Sequence, residues 1–309
     1  MYFIIKGDKV MFLNDKKALE AKNALIRALN FEKELYGKSE NKANIAMNIV
    51  ENVINIELND LQKNYLKELF SRMDVVTLTH SLETAALADN YIYLYEQKTK
   101  NDFSKKFDID KNDFKLALLI HDTGKIVTDK DLILSNKVFT EDERQRMRNH
   151  SLKSIETIKQ INEIANPNIS IDKIFSTKVT DIAQYHHPDY TECKYQRMAL
   201  PTFTKLASII DITEAMTSSN RYYRNPSATS EIVDIINRNL DNCCIERQKE
   251  TLSFITSEEN LGKLLQISED ERDYINTSFS RMLTKEIKKT EVFNNNLEQN
   301  NSKSYELRY

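Results

Sequence analysis

The five histidines of this 309-residue chain, together with two aspartates, constrain its fold most strongly. The order of these residues along the chain is His80, His121, Asp122, His150, His186, His187 and Asp211. Any one of these histidines, taken alone, would more often cap a helix or fill a core than bind a metal. All five histidines of the chain belong to this pattern, and the pattern as a whole indicates a metal-binding enzyme core. Asp211 supports this interpretation, because burying a carboxylate in an apolar stretch is costly unless it is paired or metal-bound.

The mixture of imidazole and carboxylate suits Fe, Mn, Zn or Co and needs no thiolate. Seven such ligands exceed what one tetrahedral ion uses, so the sequence predicts two ions. Asp122, next to His121, is predicted to bridge them. Two ions about 3.5–4 Å apart clamp a phosphodiester and lower the pKa of a bound water toward ~7, and the bridging hydroxide then attacks phosphorus. Lys125 is predicted to offer its charge to a phosphate oxygen.

Composition excludes several classes of function. A net charge of −3 provides no basic footprint for a DNA or RNA polymer, while a small anionic substrate needs only a few local cations. The four glycines form no Rossmann or P-loop cluster. Cys193, Cys243 and Cys244 are too few and wrongly spaced for a disulfide framework, and they fit a reducing compartment. Without a signal peptide or a transmembrane stretch, we expect a cytoplasmic protein with no membrane insertion.

Low glycine and proline content predicts a mostly helical chain, with a short hairpin at 2–13 around Lys6–Lys9. Apolar periodicity and capping signals predict helices over 16–36, 42–57, 60–72, 74–97, 110–126, 140–160, 171–185, 201–220, 228–242, 245–256 and 268–288. The predicted domains are a mostly helical N-terminal appendage of unknown role (1–71), a catalytic domain (72–290) and a flexible tail (291–309). A homodimer is compatible with this sequence.

Several short motifs resemble those of the HD-domain phosphohydrolase superfamily, and within it the HD-GYP branch. The resemblance covers roughly residues 72–225. It rests on Thr79-His80-Ser81, on Leu119-Ile120-His121-Asp122-Thr123-Gly124-Lys125, on His150-Ser151, on Tyr185-His186-His187, on Ile210-Asp211 with Glu214-Ala215-Met216-Thr217-Ser218, and on Arg221-Tyr222-Tyr223-Arg224.

The resemblance implies an all-α HD-domain helical bundle that holds two divalent ions, most often Fe or Mn. It implies hydrolysis of cyclic di-GMP to linear pGpG or GMP. It makes metal ligands of the five histidines, Asp122 and Asp211. Lys125 becomes a phosphate contact, and Arg221 and Arg224 become contacts to the substrate.

Two departures from the family pattern matter. The loop Pro188–Arg197 contains no glycine where the HD-GYP branch has a glycine-rich stretch ending in Gly-Tyr-Pro, which leaves the substrate open. Val76 stands one turn before His80, where some members carry a Glu that supports a third ion, so two ions are expected here. The alternatives are an HD phosphohydrolase that acts on another nucleotide and a catalytically weak module that senses a nucleotide. Within the loop, Tyr190 or Tyr195 is a candidate for stacking on a purine, and Arg197 for a phosphate contact.

Overall fold

The computed structural model describes residues 3–6, 9–12, 40–128, 130–133, 139–187, 199–218 and 227–282. The chain divides into two compact units, one formed by residues 37–275 and the other by residues 1–36 with 276–309. The predicted helix over 16–36 and the predicted tail over 291–309 lie outside the described residues. The predicted domain boundaries stay predictions.

In the smaller unit, the described N-terminal residues form an antiparallel hairpin. Strand β1 (Phe3–Lys6) pairs with strand β2 (Lys9–Phe12), and Lys6 lies opposite Lys9. The hairpin predicted around Lys6–Lys9 is therefore present.

The larger unit is helical throughout its described residues, which confirms the all-α fold class. Its helices are α1 (Glu40–Asn52), α2 (Asp60–Arg72), α3 (Val75–Thr99), α4 (Phe103–Phe107), α5 (Lys111–Ile120), α6 (Lys130–Ile133), α7 (Glu141–Arg148), α8 (His150–Ala165), α9 (Thr177–Tyr185), α10 (Thr202–Thr217), α11 (Thr229–Cys243), α12 (Glu246–Leu252) and α13 (Glu258–Ile267). Two 3-10 turns, η1 (Thr123–Val127) and η2 (Ile171–Lys173), join them, and residues 269–275 are also helical. In the smaller unit, residues 276–282 are helical as well. The sequence did not predict α13 as a separate helix.

Helix α3 is the central element of this unit. Asp74 caps its start by accepting a hydrogen bond from the backbone N of Thr77 at 2.8 Å, and Lys100 ends it in the left-handed conformation. Most of its side chains are buried, because α1, α5, α10 and α13 pack around it. A helix that is buried on all sides places His80 in the interior of the unit.

Several predicted helices were wrong in extent: 42–57 ends at Asn52, 171–185 begins at Thr177, and 245–256 ends at Leu252. Two further errors adjoin histidines of the metal pattern. The predicted helix 110–126 ends at Ile120, because Asp122 leaves the helical conformation and η1 follows. The predicted helix 140–160 is two helices that meet at Asn149, so His150 begins α8. The first of these helices starts with a capping box, in which Thr140 and Glu143 are bonded reciprocally.

Lys115 of α5 joins the first two helices of this unit to the rest. Its buried ammonium group donates to the backbone oxygens of Ile54 at 3.2 Å and Asn55 at 2.9 Å, and to Asp89 of α3 at 2.8 Å. The loop between α1 and α2 is thereby held against the central helix. Among the described residues, no helix combines the length and the apolar character needed to cross a membrane.

Candidate metal centre

Five segments of the larger unit bring the predicted ligands together. His80 lies on α3, His121 ends α5, His150 begins α8, His186 ends α9, and Asp211 lies within α10. Asp122 and His187 directly follow two of these helix ends. The structure places all seven predicted ligands in one cluster, in which each side chain is buried except that of His187, which is 18% exposed.

Asp122 lies between two groups of histidines. Its Oδ2 is 3.4 Å from Nε2 of His80 and 3.4 Å from Nε2 of His121. Its Oδ1 is 2.9 Å from Nε2 of His150 and 3.9 Å from Nε2 of His186. Each oxygen of one carboxylate therefore faces a different group, which is the arrangement that a bridging ligand requires.

Asp211 provides the second carboxylate. Its Oδ1 is 3.0 Å from Nε2 of His80 and 3.7 Å from Nε2 of His121. Its Oδ2 is 4.0 Å from Nδ1 of His187. It therefore lies nearest to the first histidine group, and ligand atoms of His186 and His187 in the second group are also close to it.

Hydrogen bonds to backbone oxygens orient three of the imidazoles. Nδ1 of His121 lies 2.7 Å from the oxygen of Leu118, and Nδ1 of His150 lies 2.6 Å from that of Met147. Nδ1 of His186 lies 3.1 Å from the oxygen of Ala183. A carbonyl oxygen only accepts, so Nδ1 carries the proton and Nε2 presents its lone pair to the cluster.

Gly124 allows two of the ligand segments to approach each other. A Cβ at this position would lie 1.9 Å from the backbone oxygen of His150. The Ser154 hydroxyl lies 3.3 Å from the backbone oxygen of His121 and 3.2 Å from that of His150, which ties α8 to the end of α5. The glycine after the His-Asp pair thus permits the contact between η1 and α8 that brings His150 to Asp122.

The two carboxylates of the cluster are ionised. Burial alone would raise the pKa of Asp122, but His121, Lys125 and His150 hold it well below its usual value. Burial would likewise raise the pKa of Asp211, but the neighbouring imidazoles of His121 and His80 hold it well below its usual value. Both side chains can therefore act as anionic ligands at neutral pH.

The histidines respond differently to the same surroundings. Burial and neighbouring imidazoles lower the pKa of His186 well below its usual value, and burial lowers that of His187 to about 3. Burial opposes charge on His80 as well, but Glu214 and Asp211 outweigh it and raise the pKa of His80 to about 10. The tandem pair is therefore neutral and ready to bind an ion, whereas His80 must give up a proton to do so.

The donor set fits divalent metal. Three groups have ligand atoms within 4.8 Å of one another, and these are His150 with His186 and His187, His80 with His121 and Asp122, and His121 with His186 and Asp211. Imidazole and carboxylate at such separations match the preferences of Fe, Mn, Zn and Co. The cluster can hold divalent metal, while the number and identity of the ions stay predictions.

A cavity of about 400 Å³ opens onto the cluster. Lys125 lines it, and the Lys125 ammonium group is 2.5 Å from Oδ2 of Asp122. The rest of the lining outside the cluster is Phe139, Arg144, Met147, Ile212, Ala215, Ile235 and Asn239. The cavity therefore combines two cationic side chains with apolar walls, which is the usual composition of a site for a small ligand.

Sequence reasoning missed two residues of this site. Arg144 lines the cavity, and the only signal for it was its place in the capped helix that precedes His150. Glu214 is 1% exposed and contacts Nδ1 of His80; it was noted only as part of a motif that resembles the family. The predicted substrate contacts Arg221 and Arg224 lie outside the described residues, as does the loop with Tyr190, Tyr195 and Arg197.

The family model of the HD domain matches residues 77–216. This range contains every residue of the cluster, from His80 to Asp211. Members of this family are generally hydrolases that bind divalent metal. No curated protein and no solved structure matches the chain.

Proposed function

We propose that the HD domain at residues 77–216 is a metal-dependent phosphodiesterase that hydrolyses cyclic di-GMP to linear pGpG or GMP. The observation that carries the proposal is the position of Asp122, whose two oxygens face two histidine groups and whose Oδ2 also contacts Lys125. That arrangement suits a reaction at a phosphate, because charge must be stabilised on both the attacking and the leaving oxygen.

The ligands divide between two ions according to the contacts of Asp122. His80, His121 and Asp211 would hold one ion, while His150, His186 and His187 would hold the other, and Asp122 would be shared. When bound, two such ions act as Lewis acids and lower the pKa of a coordinated water toward ~7.

Two cationic side chains are placed to bind the phosphate of a substrate. Lys125 is largely buried, with its side chain 17% exposed, and it reaches both Asp122 and the cavity. Arg144 lies on the cavity wall, and its Nε donates to the backbone oxygen of Phe139 at 3.2 Å. Lys125 would neutralise charge next to the reacting phosphate, and Arg144 would hold a more distant part of the substrate.

Three considerations support a cyclic dinucleotide as the substrate. The motifs resemble the HD-GYP branch, the cavity offers apolar walls for a base beside cationic groups for phosphate, and the net charge of −3 disfavours a nucleic-acid polymer. The loop at Pro188–Arg197 lacks the glycines found at this place in the HD-GYP branch. Hydrolysis of another nucleotide is therefore the second candidate function.

The direct test is hydrolysis by protein purified anaerobically with Mn²⁺ or Fe²⁺. Asp122→Asn removes the shared charge at nearly constant volume, and Asp142→Asn makes the same change at an exposed site whose partner is Arg146. We expect linear product from wild type and from Asp142→Asn, and none from Asp122→Asn.

Metal content measured on the same samples separates the outcomes. If wild type holds two ions per chain and leaves cyclic di-GMP intact, the proposed substrate is wrong, and a panel of other nucleotides follows. If the wild-type protein holds no divalent ion, the metal-dependent mechanism itself is wrong. If metal-loaded wild type binds a nucleotide tightly and never turns it over, the sensing module is the correct alternative.

A further inference from the structure

The two ring nitrogens of His80 have different partners. Nε2 faces the cluster, 3.0 Å from Oδ1 of Asp211 and 3.3 Å from Nε2 of His121. Nδ1 faces away from it and contacts Oε2 of Glu214. Because an ionised carboxylate only accepts, this contact keeps a proton on Nδ1, so an ion bound by the cluster would displace the proton of Nε2 and take its lone pair.

Helix geometry fixes Glu214 in this position. Glu214 follows Asp211 by three residues on α10, so both carboxylates lie on the face of α10 that packs against α3. Asp211 reaches Nε2 of His80 and Glu214 reaches Nδ1, so two residues of one helix hold both edges of one imidazole. The hydroxyl of Thr84 donates to the backbone oxygen of His80 at 2.7 Å and also lies 3.5 Å from Nδ1, on the same side of the ring as Glu214.

The partner of His80 differs from those of the other oriented histidines. His121, His150 and His186 each bond through Nδ1 to a neutral backbone oxygen of their own segment. His80 bonds to a charged carboxylate from another helix. A carboxylate behind an imidazole increases its basicity as a ligand, and removal of such a partner typically costs about 10–100-fold in metal affinity.

We propose that Glu214 is a positioning residue that acts through His80 to strengthen the binding of one of the two ions. It fixes the tautomer and the ring plane of His80, and its charge makes this imidazole a stronger donor than the histidines held by backbone oxygens. The inference rests on the proposed metal centre, but it does not depend on the identity of the substrate.

The test is a double-mutant cycle read by metal binding. Mn²⁺ is titrated into metal-free protein that carries Glu214→Gln, His80→Ala or both changes, and the two dissociation constants are measured by calorimetry, with Mn²⁺ spectra as a second readout. Glutamine keeps the shape of the side chain and an acceptor oxygen but loses the charge. Glu68→Gln is the matched control, because Glu68 is also buried but pairs with Arg72 of α2, outside the cluster.

We expect Glu214→Gln to weaken one binding step about 10-fold or more in the wild-type background and to leave that step within about two-fold when His80 is already alanine. Glu68→Gln should leave both steps unchanged. Equal weakening in both backgrounds would show that Glu214 does not act through His80. Unchanged affinity in the wild-type background would overturn the proposal.

Thermal unfolding of the metal-free variants shows whether a substitution has destabilised the protein as a whole. If Glu214→Gln does not fold, Glu214→Asp serves in its place, since it keeps the charge and shortens the reach to Nδ1. The cycle requires no substrate, so a failure of this inference is distinct from a failure to hydrolyse cyclic di-GMP.

Discussion

Substitution of Gly124 by alanine tests the contact between η1 and α8. The added Cβ would lie 1.9 Å from the oxygen of His150, 2.8 Å from its carbonyl carbon and 3.0 Å from the hydroxyl of Ser154. A Cβ essentially never approaches another heavy atom within 3.0 Å, so the two segments must separate by more than 1 Å. Two of the obstructing atoms belong to the backbone, which cannot rotate away as a side chain can.

The separation has two measurable costs. Overpacking of this kind destabilises a protein by about 1–3 kcal/mol, so we expect the free energy of unfolding of Gly124→Ala to fall by that amount. The shift also moves His150 away from Asp122, and a displacement of 1 Å in an active site can cost about 100-fold in rate. We therefore expect weaker binding of one ion and a loss of about 100-fold in kcat/KM.

Gly262→Ala is the matched control, because a Cβ at Gly262 would meet no atom within 4 Å. That substitution lies within α13, where alanine is favoured over glycine, so stability should rise by up to about 1 kcal/mol and activity should not change. Urea unfolding of metal-free protein, metal titration and turnover would be measured for both variants. A Gly124→Ala protein with wild-type stability and both ions bound would refute the close approach.

Three further predictions concern charge. Lys125→Ala should lower kcat/KM by about 10–100-fold, because a charge-assisted hydrogen bond to phosphate is worth about 1.5–3 kcal/mol. Steady-state kinetics would measure this loss, and an unchanged kcat/KM would exclude the phosphate contact. Arg144→Ala should raise KM several-fold, because Arg144 lines the cavity. Arg146→Ala is the control, since Arg146 lies on the same helix, is equally exposed and pairs with Asp142 outside the cavity, and it should leave KM unchanged. Equal effects of the two substitutions on KM would contradict a substrate contact. Burial favours the protonated form of Glu271 and raises its pKa to about 7, above its unfolded value. The contribution of the protonated side chain to stability is therefore fully present below about pH 4.5 and is lost as the pH rises through 7. The free energy of unfolding of Glu271→Gln, measured with urea, should therefore be close to that of wild type at pH 5. At pH 8 it should be higher than that of wild type by about 1 kcal/mol, after allowance for solvent screening. A gain of the same size at both pH values, or in the exposed control Glu269→Gln, would contradict the burial effect.

The helical elements that carry the ligands could be predicted because their signals are local. Asp74 and Thr140 cap helices through residues three positions away, so the starts of α3 and α7 can be read from neighbouring letters. The order of the histidines indicated which helices must meet. The fold class and the coming together of the ligand residues followed from these two kinds of signal.

The missed features depend on contacts between distant parts of the chain. Beyond the end of α5, η1 brings Gly124 against the backbone of His150, a contact that no periodicity in 110–126 reveals. Glu214 acquires its contact from a histidine 134 positions away, so its neighbours in the sequence indicated no role for it beyond its place in a motif that resembles the family. Arg144 belongs to the cavity only because α7 turns into α8 at Asn149.

The bonds of Lys115 limit how this chain can be divided or recombined. A fragment beginning at residue 72 would retain the ammonium group and Asp89 but lose the oxygens of Ile54 and Asn55. In such a fragment water would take the place of these oxygens, whereas another segment packed over Lys115 without acceptors would leave a buried charge partly unsatisfied, which is strongly destabilising. Helices α1 and α2 are therefore not an exchangeable cassette in front of residues 77–216, and a natural or engineered fusion that replaces them must supply equivalent acceptors or also replace the lysine.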